Sequence, residues 1–437
     1  MSNIDVPHSN VGYCLKRKMA KSVYGYVYKG VILKRRKVHV GEEVILNNQL
    51  IDGSKRRHLE TARIGSSSNI CRKQCTNSLE RIVEDFSSQS TQSTSTKESH
   101  DVAAESDANY IWEDTGQLVA IKTSSWAQIQ QMRGKHLEDP LKEIEALQLL
   151  GDYHKNIISN IDALQDNINL YCVLPYCSQG DLYGVVQREI TGRGRLYERT
   201  GRYWFRKILR ALHHLQLKGV CHRDLALENI LVHGQELKLI DFGMALRVPY
   251  SDPRQMRDMD WTVDVSEGGI RRLMVAQGQG GKWDYMAPEI VSRETSFDGF
   301  AIDLWATGVI LYIMLIGHKP FHWAHSSDLS FRRLAMEGRL RETLVSWKID
   351  LSENASDLLQ NMLWKDPRRR FTLSQVMEHR WVKNETRTDE MADVDRLFGS
   401  ASVSSGSPDG NQSQSSNESR RRRKLSRIWS RNIKKKS

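Results

Sequence analysis

Hydrophobic and polar positions alternate over residues 24–33 (YGYVYKGVIL), and the mix of small, aromatic and β-branched side chains there predicts a strand. The alternation stops at KRRK (34–37), and from about residue 34 to residue 108 the chain is polar, with a low-complexity run, SSQSTQSTSTKES, at 87–99. Such a composition buries too little apolar surface to offset chain entropy, so most of this stretch is expected to be a disordered insertion. Order resumes in IWEDTGQLVAIKT (111–123), a turn at Asp114–Gly116 followed by a buried strand. In PLKEIEALQLLG, Ile144, Leu147 and Leu150 fall on one face and Gly151 ends a predicted helix. Strands are predicted around Asp162 and over 170–174. Helical patterns dominate from Asp181 to Trp381, broken by β-like runs at 230–232 and 237–240. Beyond Lys383 the chain turns to Ser, Asn and charge, which predicts a flexible tail. The expected architecture is α+β: a small β-rich lobe, a larger helical lobe, one long insertion and one tail.

At 437 residues, the chain suits one large two-lobed domain with additions. Hydrophobic residues at 39% and charged residues at 27% match a globular protein with polar extras. The formal net charge of +11 is concentrated: the segment from Arg420 to Lys436 holds ten Lys or Arg and no acid, leaving the rest near neutral. The most apolar segment, GVILYIMLIG (308–317), is about half a bilayer span and reads as a buried core helix. An N-terminal apolar run is missing, so neither a secretory signal nor a transmembrane segment is expected. The six cysteines are sparse and unpatterned, which fits free thiols in a reducing compartment and an intracellular protein of cytoplasm and nucleus. Cys71 and Cys75, with His58 and His100 in the same polar segment, are candidates for a zinc site, but their spacing matches no tight ligand pair.

Phosphoryl transfer needs a cation on the nucleotide phosphates, carboxylate and amide oxygens for Mg²⁺, and a carboxylate to receive the hydroxyl proton. The chain supplies candidates in order. VAIK places Lys122 on the strand after the insertion, and Glu143 lies on the next helix. HRDLALEN carries Asp224 and Asn229, DFG carries Asp241, Phe242 and Gly243, and APE carries Ala287, Pro288 and Glu289. In this order the motifs resemble those of the eukaryotic protein kinase family, over residues 11–382 outside the insertion. The resemblance implies a kinase domain over 11–382. Its N-lobe would run to about 176 with the insertion at about 34–108, its C-lobe over 177–382, and the tail over 383–437. The C-lobe ending, residues 351–382, looks most like the calcium/calmodulin-dependent kinase group.

The resemblance also implies roles. Asp224 would be the catalytic carboxylate, with Lys122 and Glu143 as the ion pair and Asn229 and Asp241 as Mg²⁺ ligands. ATP would lie between the lobes: Leu174 as gatekeeper, the Pro175 carbonyl and Cys177 N–H bonding the adenine, Val27, Ala120 and Leu231 sandwiching it. Asp303 is expected to bond the backbone of the HRD turn, and Arg370 to pair with Glu289.

Three positions depart from the family pattern. Of the phosphate-covering glycines only Gly25 survives, with Ala20 and Ser22 in place of the other two. Ala226 stands where a lysine would touch the γ-phosphate. Lys282 stands where a threonine would bond that lysine and the catalytic aspartate. The paired change suggests a relocated cation, with the Lys282 ammonium meeting the transferring phosphate. The intact carboxylates, metal ligands and ion pair favour an active Ser/Thr kinase; the alternative is a catalytically weak or silent pseudokinase scaffold. Glu228 before Asn229 favours Ser/Thr specificity, and Asp181 with Glu228 hints at basic protein substrates. Arg223 implies control by phosphorylation of the activation segment, residues 241–289, for which Thr262 and Ser266 are candidates. The basic segment from Arg420 to Lys436, with Leu425, Ile428 and Trp429 on one helical face, suits an anionic membrane, calmodulin or an import receptor. Ser426 within it resembles a phosphosite, and no specific nucleic acid is expected.

Overall fold

The computed structural model describes residues 2–4, 10–37, 44–46, 49–51, 110–192, 195–251, 261–266 and 269–384. The zinc candidates Cys71, Cys75, His58 and His100, most of the insertion expected to be disordered, and the basic tail lie outside the described residues.

Among the described residues, the N-lobe is a six-stranded antiparallel sheet. In chain order its strands are β1 (Ser2–Ile4), β2 (Val11–Lys21), β3 (Gly25–Lys37), β4 (Tyr110–Ser125), β5 (Asp162–Gln165) and β6 (Asn169–Pro175). Their spatial order is β1-β2-β3-β4-β6-β5. Strand β3 continues through KRRK, past the start expected for the insertion. Its cations Lys34, Arg35 and Arg36 lie opposite Glu113, Trp112 and Ile111 of β4, and Arg36 pairs with Glu113. Cross-strand pairing thus holds a segment that carries no hydrophobic alternation. A further short hairpin, Val44–Leu46 with Gln49–Ile51, falls inside the stretch expected to lack structure. The predicted turn at Asp114–Gly116 is a bulge within β4: Val31 faces Leu118 while Leu33 faces Asp114, and Gly116 supplies φ +70°.

Successive strand residues face opposite sides. One side of the sheet carries a core of Tyr13, Leu15, Ile32, Val119, Ile121, Leu164, Tyr171 and Val173. The register Val27 to Lys122 and Ala120 to Leu174 brings these four residues to the other side, which faces the cleft. Helix α1 (Trp126–Met132) follows β4, and α2 (Pro140–Leu150) follows α1. Helix α2 begins where Asp139 accepts from the Leu141 N–H at 2.9 Å with Pro140 in its first turn, and it ends at Gly151 with φ +73°.

The C-lobe contains α3 (Leu182–Gly192), α4 (Glu198–Leu217), the hairpin β7 (Ile230–His233) with β8 (Glu236–Leu239), α5 (Pro288–Val291), α6 (Gly299–Ile316), α7 (Glu353–Met362) and α8 (Arg380–Lys383). Among the described residues, α6 alone is long and apolar enough to cross a membrane, and every residue of it is buried inside the lobe. Asp298 caps its first turn by accepting from the Phe300 N–H at 2.9 Å. As the apolar run at 308–317 predicts, it is the core helix of this lobe.

Candidate active site

Strand β4 carries Lys122 into the cleft, and α2 carries Glu143 to meet it. The ammonium lies 2.6 Å from Glu143 Oε2 and 3.2 Å from Asp241 Oδ1. Burial disfavours its charge, but Glu143 and Asp241 outweigh burial and hold the Lys122 pKa above its ordinary value. Burial likewise opposes ionisation of Asp241, and Lys122, His222 and Lys282 overcome it, keeping this carboxyl below the usual range.

The HRD turn is fixed from below. The backbone N–H groups of His222 and Arg223 donate to the two oxygens of Asp303 at 2.7 and 2.9 Å, the contact expected for Asp303. His222 Nε2 lies 3.0 Å from the Ile240 carbonyl, which can only accept, so this nitrogen carries the hydrogen. The buried imidazole packs on Phe242 with centroids 4.7 Å apart, which holds DFG inward. Arg223 and Asp241 both sit at positive φ, +68° and +67°, a cost that clusters at functional turns. Arg223 points to the activation segment, donating to Gln277 Oε1 at 3.1 Å.

Asn229 ties the loop together: its Nδ2 donates to the Asp224 carbonyl at 2.7 Å and to Asp224 Oδ2 at 2.8 Å. Its Oδ1 accepts from the Lys282 ammonium at 3.0 Å, and that ammonium also lies 3.4 Å from Asp224 Oδ2. Lys282 therefore contacts both members of the Asp224–Asn229 pair. Its backbone N–H donates to Asp224 Oδ1 at 3.0 Å. Gly281 makes this approach feasible: at φ +91°, a Cβ there would meet the Arg223 carbonyl at 2.9 Å. Downstream, Arg370 clamps Glu289 through two buried bonds of 2.8 and 2.7 Å, the pairing expected from the motifs.

The residues expected around the nucleotide are distributed over both lobes. Val27, Ala120 and Leu174 lie on the cleft side of the sheet, half-buried, with Pro175 ending β6 and half-buried Cys177 just beyond. Burial pushes the Cys177 thiol pKa up. Leu231, on β7, faces Asp181 across an isolated bridge at the start of α3. Gly25 opens β3, where a Cβ would lie 2.2 Å from the Thr123 carbonyl, so the surviving glycine is demanded by strand packing. Of the two acidic residues tied to basic substrates, Glu228 accepts from the Tyr285 hydroxyl at 3.3 Å, and Asp181 Oδ1 accepts from the Gly184 N–H at 2.7 Å. Thr262 and Ser266 lie on a strand, Trp261–Ser266.

Two residues escaped the sequence reading. Glu138 approaches Lys122 to 3.9 Å, and the buried Tyr24 hydroxyl donates to the Glu138 carbonyl, drawing the tip between β2 and β3 toward α2. Burial, reinforced by Asp241, Glu143 and Asp224, pushes the Glu138 carboxyl up to about 7 against the pull of Lys122. No spacing in the chain marks either residue.

A β-sheet lobe over a helical lobe, with Lys122–Glu143, the HRD turn and DFG converging at their junction, defines a protein kinase domain. Residues 108–382 match the family model described as "Protein kinase domain", and the chain belongs to that family. The match begins beyond the insertion, so strands β2 and β3 lie upstream of it. The chain is similar to "Calcium-dependent protein kinase 12" of Oryza sativa subsp. japonica, 33% identical over 283 residues, or 64% of this chain and 46% of that protein. "Calcium-dependent protein kinase 19" of Arabidopsis thaliana is 32% identical over 257 residues, 58% of this chain and 41% of that protein. "CDPK-related protein kinase" of Daucus carota is 31% identical over 273 residues, 62% and 40% respectively. The chain spans less than half the length of these relatives, and they agree with the likeness read from its C-lobe ending.

Proposed function

We propose that the chain is an active serine/threonine kinase that moves the γ-phosphoryl group of ATP to hydroxyls of protein substrates. The observation that carries this reading is the joint placement of Lys122, Glu143, Asp224, Asn229 and Asp241, each already on its partner. Lys122 would hold the nucleotide phosphates, with Glu143 keeping its ammonium in line. Asp224 would orient the substrate hydroxyl and accept its proton. The Asp241 carboxylate and the Asn229 amide oxygen are hard donors suited to Mg²⁺, and Asn229 Oδ1 already faces a cation, the Lys282 ammonium. Bound there, Mg²⁺ would neutralise charge on the phosphates. The Ser22 hydroxyl oxygen, at a phosphate-covering glycine position, is buried without a hydrogen-bond partner among the described residues.

Serine/threonine specificity is supported by the Glu228–Asn229 loop ending and by the relatives, and Asp181 and Glu228 favour basic peptides. A kinase of this kind would work inside the cell, where ATP is found. Purified protein with Mg²⁺ and labelled ATP should label a protein substrate on serine or threonine. Asp224→Asn should lower the rate by at least about a hundredfold. Nucleotide binding without any label, from a preparation whose activation segment is phosphorylated, would instead identify a scaffold. Label on tyrosine would overturn the specificity.

A further inference from the structure

We propose that Lys282 is a catalytic residue, a cation lent by the activation segment to the phosphoryl group in flight. The inference rests on the kinase reading above and deepens it. Between Asp224 and Asn229 the catalytic loop offers Leu225, Ala226, Leu227 and Glu228, so it brings no positive charge of its own, and Ala226 is fully buried. Lys122, proposed above to hold the nucleotide phosphates, lies on Glu143 and Asp241 and not on Asp224 or Asn229. The Lys282 ammonium lies 3.4 Å from the Asp224 carboxylate and 3.0 Å from Asn229 Oδ1, bridging the proposed proton acceptor and a proposed metal ligand. The Lys282 side chain is 36% exposed, whereas Asp224 is largely buried.

The position is built from the backbone outward. The Lys282 N–H is bonded to Asp224 Oδ1, and Gly281 permits close passage beside Arg223. The next turn, Trp283–Tyr285, closes with the Tyr285 N–H donating to the Lys282 carbonyl at 3.0 Å, and the buried Tyr285 ring reaches Glu228. A cation held on such a scaffold needs little reorganisation when charge develops beside it.

The substrate hydroxyl would sit by Asp224 to lose its proton, and Asn229, which with Asp241 would hold Mg²⁺, would bring the nucleotide phosphates close. The oxygens of the transferring group would therefore come alongside the bonded Asp224–Asn229 pair, where the Lys282 ammonium lies. During transfer the bond from the γ-phosphorus to its bridging oxygen breaks and the bond to the substrate oxygen forms. The hydroxyl proton goes to Asp224, and Lys282 keeps its own protons while offsetting negative charge on the phosphoryl oxygens.

Lys282→Arg keeps a cation at this place, whereas Lys282→Gln keeps a hydrogen-bond donor without the charge. The Gln variant should lose about a hundredfold in single-turnover transfer with its peptide KM unchanged, and the Arg variant should lose less than about tenfold. A second readout needs no turnover. In an Asp224→Asn background with Mg²⁺, calorimetry should show the preference for ATP over ADP falling about tenfold on Lys282→Gln and persisting with Arg. Equal transfer rates in wild type and the Gln variant would overturn the inference, as would a slowed Gln variant whose ATP preference is intact, since Lys282 would then only position Asp224. If the wild type transfers nothing, the kinase reading fails by itself, and the binding arm still decides whether Lys282 meets the γ-phosphate.

Discussion

Glu138 shows how a single residue can be set by neighbours far away in sequence. It is a third carboxylate beside Lys122, and burial with the surrounding acids lifts its pKa from 4.5 to about 7 in the folded chain. A carboxyl whose folded pKa is raised binds its proton more tightly folded than unfolded. Its contribution is therefore present below about pH 4.5 and is lost as pH rises toward about 7. Because the group is partly open to solvent, the loss is discounted to about 1–2 kcal/mol. Glu138→Gln should flatten that part of the stability curve and raise the melting temperature at pH 8 by roughly 2–5 °C, measured without nucleotide or metal. A pH slope identical to wild type would show that Glu138 is not the titrating group. Nothing in the chain pattern announces this residue or Tyr24, because their surroundings exist only once α2 closes on the sheet. Lys282, by contrast, was legible, since two linked departures from one motif set pointed to the same place.

At the scale of elements, Arg370 locks α5 to the end of the C-lobe. Besides its fork with Glu289, the guanidinium donates to the carbonyls of Trp364 at 2.8 Å, Lys365 at 3.0 Å and Ala301 at 3.1 Å. Both members of the pair are almost wholly buried, so removing one strands the charge of the other. Arg370→Met should cost about 3–5 kcal/mol, seen as a fall of roughly 10 °C in melting temperature. Arg370→Lys should recover little, since a single ammonium cannot span both carboxylate oxygens. Full stability in the Met variant would refute the lock. Elements with strong periodicity or caps, such as α2 and α6, were readable because their own residues decide them. Strand β2 was not: only Tyr13, Cys14 and Leu15 bury side chains early in it, and its cationic second half from Lys16 onward shows no alternation. Its partner β3 holds it in place, and a partner is not a local property of sequence.

Across the whole molecule the same logic explains how a kinase sheet tolerates a long interruption. The chain leaves β3 at Lys37 and re-enters β4 at Tyr110, and these two residues are register partners. The pairing then runs inward through Arg35 with Trp112 to Val27 with Lys122, so the cleft residues are placed by strand register that begins where the interruption ends. Replacing residues 38–109 with a two-residue Asn-Gly turn should therefore keep the sheet, because such a turn joins register partners directly and matches the strand twist. Closing a loop of roughly 70 residues costs more chain entropy than closing a tight turn, by about 2–3 kcal/mol. The shortened chain should melt several degrees higher and bind ATP as the full chain does. A higher melting temperature with lost ATP binding would mean that residues of the interruption reach the cleft, and a lower one would mean that they brace the sheet. Retention of both properties would leave the register of β3 on β4 as sufficient to bring Lys122 to Glu143.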